Sequence, residues 1–231
     1  MRKLLMLVLL VTIQTVAYSQ MITASDVDEA IEELYGSQPQ TGKEYMQLAD
    51  RLMLEYPLDQ NQQLSFTSVL EAPGKSKDEL FVLLNNWFVS SFNSGKETIQ
   101  MVDKEQGVVL AKGYLSGVGS RVGFSKSVNV CEYIIVRLDI KDEKARLITS
   151  IQEYYMETSS GVGQILFGGA AMPDVQIPVY QCYPFNKQMY KSYKREASIG
   201  YVGGVVYSKI LANKIERAIN YSLTGTESQD W

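Results

Sequence analysis

The sequence predicts an α+β domain built on a curved antiparallel sheet that carries its helices on one face. The first observation is an order of apolar patterns, β-α-β-β-β-β-α, with periods of about 2 and about 3.6 residues. The second is that an antiparallel sheet with one apolar face needs a cover, which the two helices of this order supply. The third is a pair of short helical patterns that precede this domain.

The two preceding helices form an N-terminal appendage over residues 20–60. The first is predicted over residues 25–35, where apolar side chains repeat at helical spacing behind a serine cap. The second begins at a capping box, in which the Thr41 hydroxyl and the Glu44 carboxylate each satisfy a backbone N–H. We expect this helix to run to about Tyr56 because a proline follows there.

The main domain is predicted over residues 62–222, and a disordered tail over 223–231. A second capping box, Ser76 with Glu79, begins its first helix. The Ser/Gly-rich residues 116–129 are expected to form a loop. The predicted elements are strand 64–70, a helix from 77 to about 93, strands 98–103, 108–115, 131–141 and 145–155, and a helix over 187–222.

The N-terminus has the three regions of a secretory signal peptide. A basic start is followed by an apolar run over residues 4–13 and by the small residues Ala17 and Ser19. The run is shorter than the ~20 residues of a spanning helix, and no cysteine near Ser19 offers a lipid anchor. We expect cleavage of residues 1–19 and release into the periplasm or the medium, without a stable membrane span.

The charge balance argues against nucleic acid as a partner. The chain has a net charge of −4, and removal of Arg2 and Lys3 with the signal leaves 20 basic and 26 acidic side chains, a net charge of −6. Nucleic acids and anionic membranes attract basic patches. The sequence gives no oligomeric state.

The chain contains no histidine, which excludes the usual Ser-His-Asp and Cys-His sites and histidine-based metal centres. Its two cysteines, Cys131 and Cys182, cannot form a four-thiolate site. An exported protein permits a disulfide between them, and two buried free thiols are the equal alternative. The sequence therefore indicates no catalytic residue, no metal and no cofactor.

Residues 157–186 are predicted to be a long irregular loop, rich in glycine and apolar side chains. Loops of this length in a compact domain are usually functional or disordered, and the apolar content argues against simple disorder. The loop and the start of the last helix supply the candidate ligand or partner surface. Its residues are Phe167, Met172, Ile177, Val179, Tyr180, Tyr183, Tyr190, Tyr193, Gly200 and Gly204.

Two of these residues, Gly200 and Gly204, have a second interpretation. Glycine inside a helix costs ~1 kcal/mol against alanine, so each is expected where another backbone or a ligand comes close. Close packing of the helix on the sheet is the favoured explanation. The glycines between 113 and 123 match neither nucleotide-binding motif and are expected to belong to a hairpin connection.

Several sequence segments resemble a known family. They are residues 75–81 (KSKDELF) before a helix with Trp87 and Phe92, then 99–107, 111–113 (AKG), and the strand-turn-strand 133–146. The chain thus resembles, over about residues 64–155, the exported bacterial domain of unknown function four-four-six-eight, which has a TBP-like fold (after the TATA-binding protein). The resemblance implies that fold and export. It implies no activity and no functional residues, and the fold alone does not import DNA binding.

Three functions are compatible with these observations. The favoured hypothesis is an exported, non-catalytic binding module that holds a small apolar ligand or an envelope protein between the sheet, the last helix and residues 157–186. The second is a structural or assembly component of the envelope that docks through its N-terminal helices. The third is a hydrolase with paired carboxylates, which needs two acids facing one cleft.

Overall fold

The computed structural model describes residues 22, 24–91, 98–124, 126–161, 166, 173–188 and 193–224. The predicted signal peptide and most of the predicted tail lie outside these residues. The helices are α1 (Ala24–Tyr35), α2 (Gly42–Leu52), α3 (Lys77–Ser91) and α4 (Lys194–Thr224). The strands are β1 (Leu64–Glu71), β2 (Thr98–Asp103), β3 (Val108–Val122), β4 (Lys126–Lys141), β5 (Lys144–Ser160) and β6 (Val175–Pro178).

The six strands form one antiparallel sheet in the order β1-β5-β4-β3-β2. β6 also pairs with β5, opposite residues 153–156, whereas β1 pairs with residues 144–151. β1 and β6 therefore lie end to end along the same edge of β5. The predicted α+β architecture is confirmed, with one short strand added before the last helix.

Both predicted capping boxes are present. The Glu44 N–H donates to the Thr41 hydroxyl at 3.3 Å, while the Thr41 N–H donates to the Glu44 carboxylate at 3.2 Å. The Ser76 N–H likewise donates to Glu79 at 2.8 Å, and α3 begins one residue later. α2 ends at Leu52, earlier than predicted, because the Leu54 N–H bonds three residues back and tightens the final turn.

The loop predicted over residues 116–129 is wrong, because β3 and β4 continue through most of it as one long hairpin. A bulge places residues 116–118 of β3 opposite the single residue Cys131 of β4. Gly117 adopts a φ of +68° in this bulge, a conformation that glycine takes without steric cost. The glycines that suggested a loop instead bend a paired strand.

A second bulge lies in β5, where Gln152 and Glu153 oppose the single residue Tyr133. Side chains normally alternate between the two faces of a strand, so one extra residue changes which positions face the helices. Ile151 and Tyr154 are consequently both fully buried in the core. The inward row of β5 begins at Ala145 and continues after the bulge through Met156.

α3 and α4 cover the same face of the sheet. The apolar side chains Leu80, Leu84 and Phe88 of α3 are fully buried in the cluster that contains the inward rows of β4 and β5. α4 contributes an almost continuous buried stretch over residues 196–208. α1 and α2 pack in turn against α4, so the helical cover has a second layer.

The last helix begins at Lys194 rather than at residue 187 and extends to Thr224, two residues into the predicted tail. Residues 187 and 188 form a bend. The region predicted as an irregular loop is also more ordered than expected. Residues 157–160 continue β5, and β6 is followed by a 3₁₀ turn at Val179–Gln181.

A substitution at Gly203 would measure how tightly α4 packs against the sheet. A Cβ there would lie 2.9 Å from the Val118 backbone oxygen, which cannot move without disturbing β3. We expect Gly203→Ala to lower the free energy of unfolding by about 1–2 kcal/mol, because overpacking exceeds the gain in helix propensity of ~1 kcal/mol. Urea denaturation measures it. Asn213→Ala, at an exposed position of the same helix, should change stability by less than ~0.5 kcal/mol; equal effects would contradict the close contact.

Candidate functional site

The described part of the predicted binding surface is mostly a lid on the core. Ile177 and Val179 are fully buried, and Tyr183 is 5 % exposed. Tyr193 is partly buried against the core, whereas Tyr180 is 40 % exposed. The remaining members of that predicted surface, Phe167, Met172 and Tyr190, lie outside the described residues.

The hydroxyl of Tyr183 donates to the Asp50 carboxylate of α2, and Lys187 forms an ion pair with the same carboxylate at 3.3 Å. The Tyr201 hydroxyl of α4 donates to the Tyr56 carbonyl at 3.0 Å. These contacts tie the segment after β6, the N-terminal helices and α4 together. Tyrosines that suggested a recognition surface therefore include one that joins parts of the fold.

The two cysteines are free and buried. Cys131 lies on the face of the sheet away from the helices, where its sulfur accepts from the Asn129 amide at 3.4 Å. Cys182 lies beside Tyr154 on the helix side, and burial raises the pKa of its thiol to about 12. The sheet separates the two sulfurs, so the structure has the free-thiol arrangement of the two alternatives.

The glycines of α4 make close contacts with a buried acid. A Cβ on Gly200 would lie 3.2 Å from Glu132 Oε1, and one on Gly204 would lie 2.9 Å from Glu132 Oε2. Glycine at both positions therefore lets the helix approach the sheet across this carboxyl group. The structure agrees with the close-packing interpretation of Gly200 and Gly204.

Glu132 itself is fully buried, and neither of its oxygens has a hydrogen-bond partner in the described part of the chain. The hydroxyl of Tyr154, which lies opposite Glu132 on β5, is also buried and has no hydrogen-bond partner among the described residues. Burial raises the pKa of the Glu132 carboxyl well above its usual range, because an unpaired charge is costly inside a protein. Glu132 is therefore held as the neutral acid.

A second buried acid, Glu196, lies one turn before Gly200 on α4. Arg121 of β3 donates to its Oε1 at 2.8 Å, which compensates the buried charge. This ion pair fixes the start of α4 against the far end of the β3–β4 hairpin. The two fully buried acids of the described residues thus have different environments, since Glu196 has a cationic partner and Glu132 has no hydrogen-bond partner among those residues.

A cleft of about 280 Å³ opens between the N-terminal helices, β3 and the start of α4. One wall is the extended segment between α1 and α2, and the other is the strand after the β3 bulge. The residues that line it are Asp28, Gln38, Pro39, Gln40, Tyr45, Gly117, Val118, Gly119, Ser120 and Ile199. None of them belongs to the surface predicted from the sequence.

Two local contacts fix the positions of the walls of the cleft. Gly119 and Ile199 are in such close contact that a Cβ on Gly119 would lie 1.6 Å from the Ile199 Cγ2. The capping box positions the opposite wall, since the Gln40 N–H also donates to Glu44, at 2.6 Å. Burial raises the pKa of the Tyr45 hydroxyl, and the nearby Asp28 charge adds to this. Tyr45 therefore presents a protonated hydroxyl.

A cluster of tyrosines lies on the face of the sheet that the helices leave uncovered. The rings of Tyr114 and Tyr133 are 4.9 Å apart, and the Tyr114 hydroxyl donates to Glu157 at 2.7 Å. Lys112 lies 4.6 Å above the Tyr133 ring. The Tyr155 hydroxyl lies on the same face and donates to the Asp174 carboxylate, just before β6, at 2.9 Å. The alternation of side chains along the strand that contains Cys131 is the sequence signal that could have placed these side chains on one face.

Two other kinds of feature are absent from the described ranges. No group of three or more cysteine and acidic side chains there is arranged to hold a metal ion. No described helix is long and apolar enough to cross a membrane.

The architecture defines the class of protein: an open antiparallel sheet covered on one face by two helices, as in TBP-like domains. Residues 66–154 match the family described as "Domain of unknown function (DUF4468) with TBP-like fold". This stretch, from β1 to the second half of β5, is similar to that family. No curated protein matches the chain.

Two solved structures are similar to this chain. A TBP-like protein from Parabacteroides distasonis superimposes with a TM-score of 0.53 at 10 % identity, over 71 % of this chain and 97 % of that one. A DUF4468 family protein from Bacteroides ovatus gives a TM-score of 0.40 at 11 % identity, over 75 % of this chain and 95 % of that one. At such identities the first likeness shows the fold alone.

Glu132 should make stability fall as pH rises. Its folded-state pKa is raised, so the unfolded chain loses this proton first and the native state binds more protons above the unfolded value. We expect the free energy of unfolding to decrease above pH ~5 by up to about 1.4 kcal/mol per pH unit until the folded pKa is passed. The window is clean because the chain has no histidine.

Glu132→Gln removes the titrating group at nearly constant volume, so its unfolding free energy should depend less on pH than that of the wild type. Urea denaturation between pH 5 and 8 measures both. Glu216→Gln, exposed on α4, is the matched control and should keep the wild-type slope. Parallel pH profiles for Glu132→Gln and the wild type would show that Glu132 is not held neutral.

Proposed function

We propose that the protein is an exported, non-catalytic binding module that holds a small ligand in the cleft between the N-terminal helices, β3 and α4. The observation that carries this proposal is the cleft itself. It joins two extended backbone walls over a partly apolar floor, with a few polar side chains around it. Ligand sites in proteins are usually concave and combine these features.

The acids of the chain favour binding over hydrolysis. Asp28 is the single carboxylate among the residues that line the cleft. Glycoside hydrolysis ordinarily needs two carboxyl groups across the scissile bond. The two fully buried acids, Glu132 and Glu196, are in the helix–sheet interface and do not line the cleft. A hydrolase with paired carboxylates is therefore the less favoured function.

The cleft lies away from the site first expected between the sheet, the last helix and residues 157–186. The described part of that region is filled by Ile177, Val179 and Cys182, all fully buried. The N-terminal helices contribute Asp28 and Tyr45 to the cleft instead. This contribution supports a ligand-binding role for the appendage over its use as a docking element for envelope assembly.

Export remains part of the proposal because the first nineteen residues have the pattern of a signal peptide. A net acidic chain without histidine suits a module that works outside the cytoplasm on a ligand other than nucleic acid.

The test is an NMR titration of the labelled protein with the low-molecular-weight fraction of its native periplasm and medium. We expect chemical-shift changes at Asp28, Gln38, Gln40, Tyr45 and residues 117–120. Asp28→Arg places a long cationic side chain at the cleft and should abolish them. Glu33→Arg, the same kind of change at an exposed position of α1 outside the cleft, is the control and should leave them unchanged.

Shifts that persist in Asp28→Arg, or that lie outside the cleft in the wild type, would refute this site. Intact-mass measurement of the purified protein tests export separately, with loss of residues 1–19 as the expected result.

A further inference from the structure

From the chemistry of the cleft we infer that its ligand is a neutral saccharide of one or two rings. This inference rests on the proposed function and names the class of ligand. A sugar ring has C–H groups on its faces and hydroxyl groups around its rim. The cleft has the complementary distribution, with the apolar side chains of Pro39, Val118 and Ile199 beside polar groups from both walls.

The polar groups match hydroxyl groups, which each donate and accept hydrogen bonds. The side-chain amides of Gln38 and Gln40 supply both donors and acceptors. Asp28 supplies two carboxylate oxygens that accept, an arrangement suited to two neighbouring hydroxyl groups. Site polar groups of this kind provide strong discrimination, since a ligand without hydroxyls leaves them unpaired.

The charge of the side chains that line the cleft further restricts the class of ligand. Asp28 is acidic and no basic side chain is among the lining residues, so the cleft repels phosphorylated and carboxylated ligands. An ammonium or guanidinium group would be attracted to Asp28, but it uses acceptors only and gains nothing from the donors of Gln38 and Gln40. A neutral polyhydroxyl ligand uses both sets.

Tyr45 adds an aromatic wall. Its hydroxyl is hydrogen-bonded to the Gln38 side chain, and burial with the nearby Asp28 charge keeps it protonated. A tyrosine fixed in this way presents a rigid surface that is apolar along the ring and polar at the tip. It can contact the C–H face of a sugar while the hydroxyl donates or accepts at the rim.

The size of the cleft sets the length of the ligand. Its volume of about 280 Å³ is at the lower end for small-molecule sites, which run from about 300 to 1,000 Å³. One or two sugar rings therefore fit, and a longer glycan would extend past the opening. The single carboxylate is consistent with retention of the sugar without cleavage.

Ligand-observed NMR and calorimetry with a panel of neutral mono- and disaccharides test this inference on the purified full chain. The panel covers glucose, mannose, galactose, fucose and N-acetylglucosamine units, with glucose 6-phosphate and cadaverine as anionic and cationic probes. We expect at least one neutral sugar to bind with a millimolar or lower Kd, and both charged probes to bind at least tenfold more weakly.

Asp28→Asn should weaken sugar binding at least tenfold. Glu33→Gln makes the same change of charge on an exposed position of α1 outside the cleft and should alter the Kd by less than twofold. Equal effects of the two variants, stronger binding of either charged probe, or no binding of any neutral sugar would each overturn the saccharide assignment.

The two proposals fail in different ways. If native small molecules shift the cleft resonances in an Asp28→Arg-sensitive manner while no neutral sugar binds, the cleft is a ligand site of another class. If sugar binding is unaffected by Asp28→Arg, the cleft is not the site and both proposals fall.

Discussion

The contact between the glycine-bearing face of α4 and the β3–β4–β5 surface is the constraint on which the rest of the structure depends. Gly203 and Gly204 leave no room for a methyl group against the sheet, and one on Gly200 would lie 3.0 Å from the Val130 side chain. Removing side chains on one helix face brings backbone close to backbone, at a cost in helix propensity that packing must repay. Through this contact, the sheet determines where α4 lies, and α4 determines where α1 and α2 lie.

Two buried acids accompany this contact and act differently. Glu196 is neutralised by Arg121, so the pair fixes the beginning of α4 over the end of the hairpin. Glu132 has no such partner and is compensated by remaining protonated, which makes the middle of the interface sensitive to pH. The helix–sheet interface therefore contains an ion pair at Glu196, which needs a charged carboxylate, and a buried carboxyl group at Glu132, which needs to stay neutral.

The elements with a regular period or a capping box could be predicted from the sequence. The alternation of Ile134, Val136 and Leu138 located β4, and the pair Ser76 and Glu79 located the start of α3. The bulges could not be predicted in this way, because one extra residue exchanges the two faces of a strand without altering composition. Glycines at 117 and 119 therefore suggested a loop where the chain forms a paired strand.

The candidate site was missed for a related reason. Its walls come from residues 28–45, from 117–120 and from Ile199, which are far apart in the sequence and carry no shared motif. Asp28 lies in the first turn of the helix predicted over residues 25–35, where acids are common for electrostatic reasons. By contrast, the apolar segment around Ile177 was predicted to form the binding surface because it is long and apolar. Where the structure describes this segment, its side chains complete the core.

The composite origin of the cleft also limits what the family fold can say about function. Residues 66–154 contain only the β3 wall, whereas Asp28, Gln38, Gln40, Tyr45 and Ile199 lie outside the matched segment. Without the N-terminal helices, this sheet would have an open wall in place of a cleft. The proposed ligand site therefore depends on the combination of the domain with its N-terminal helices. It follows that a relative should share the site only if it also places polar side chains from such helices opposite residues 117–120.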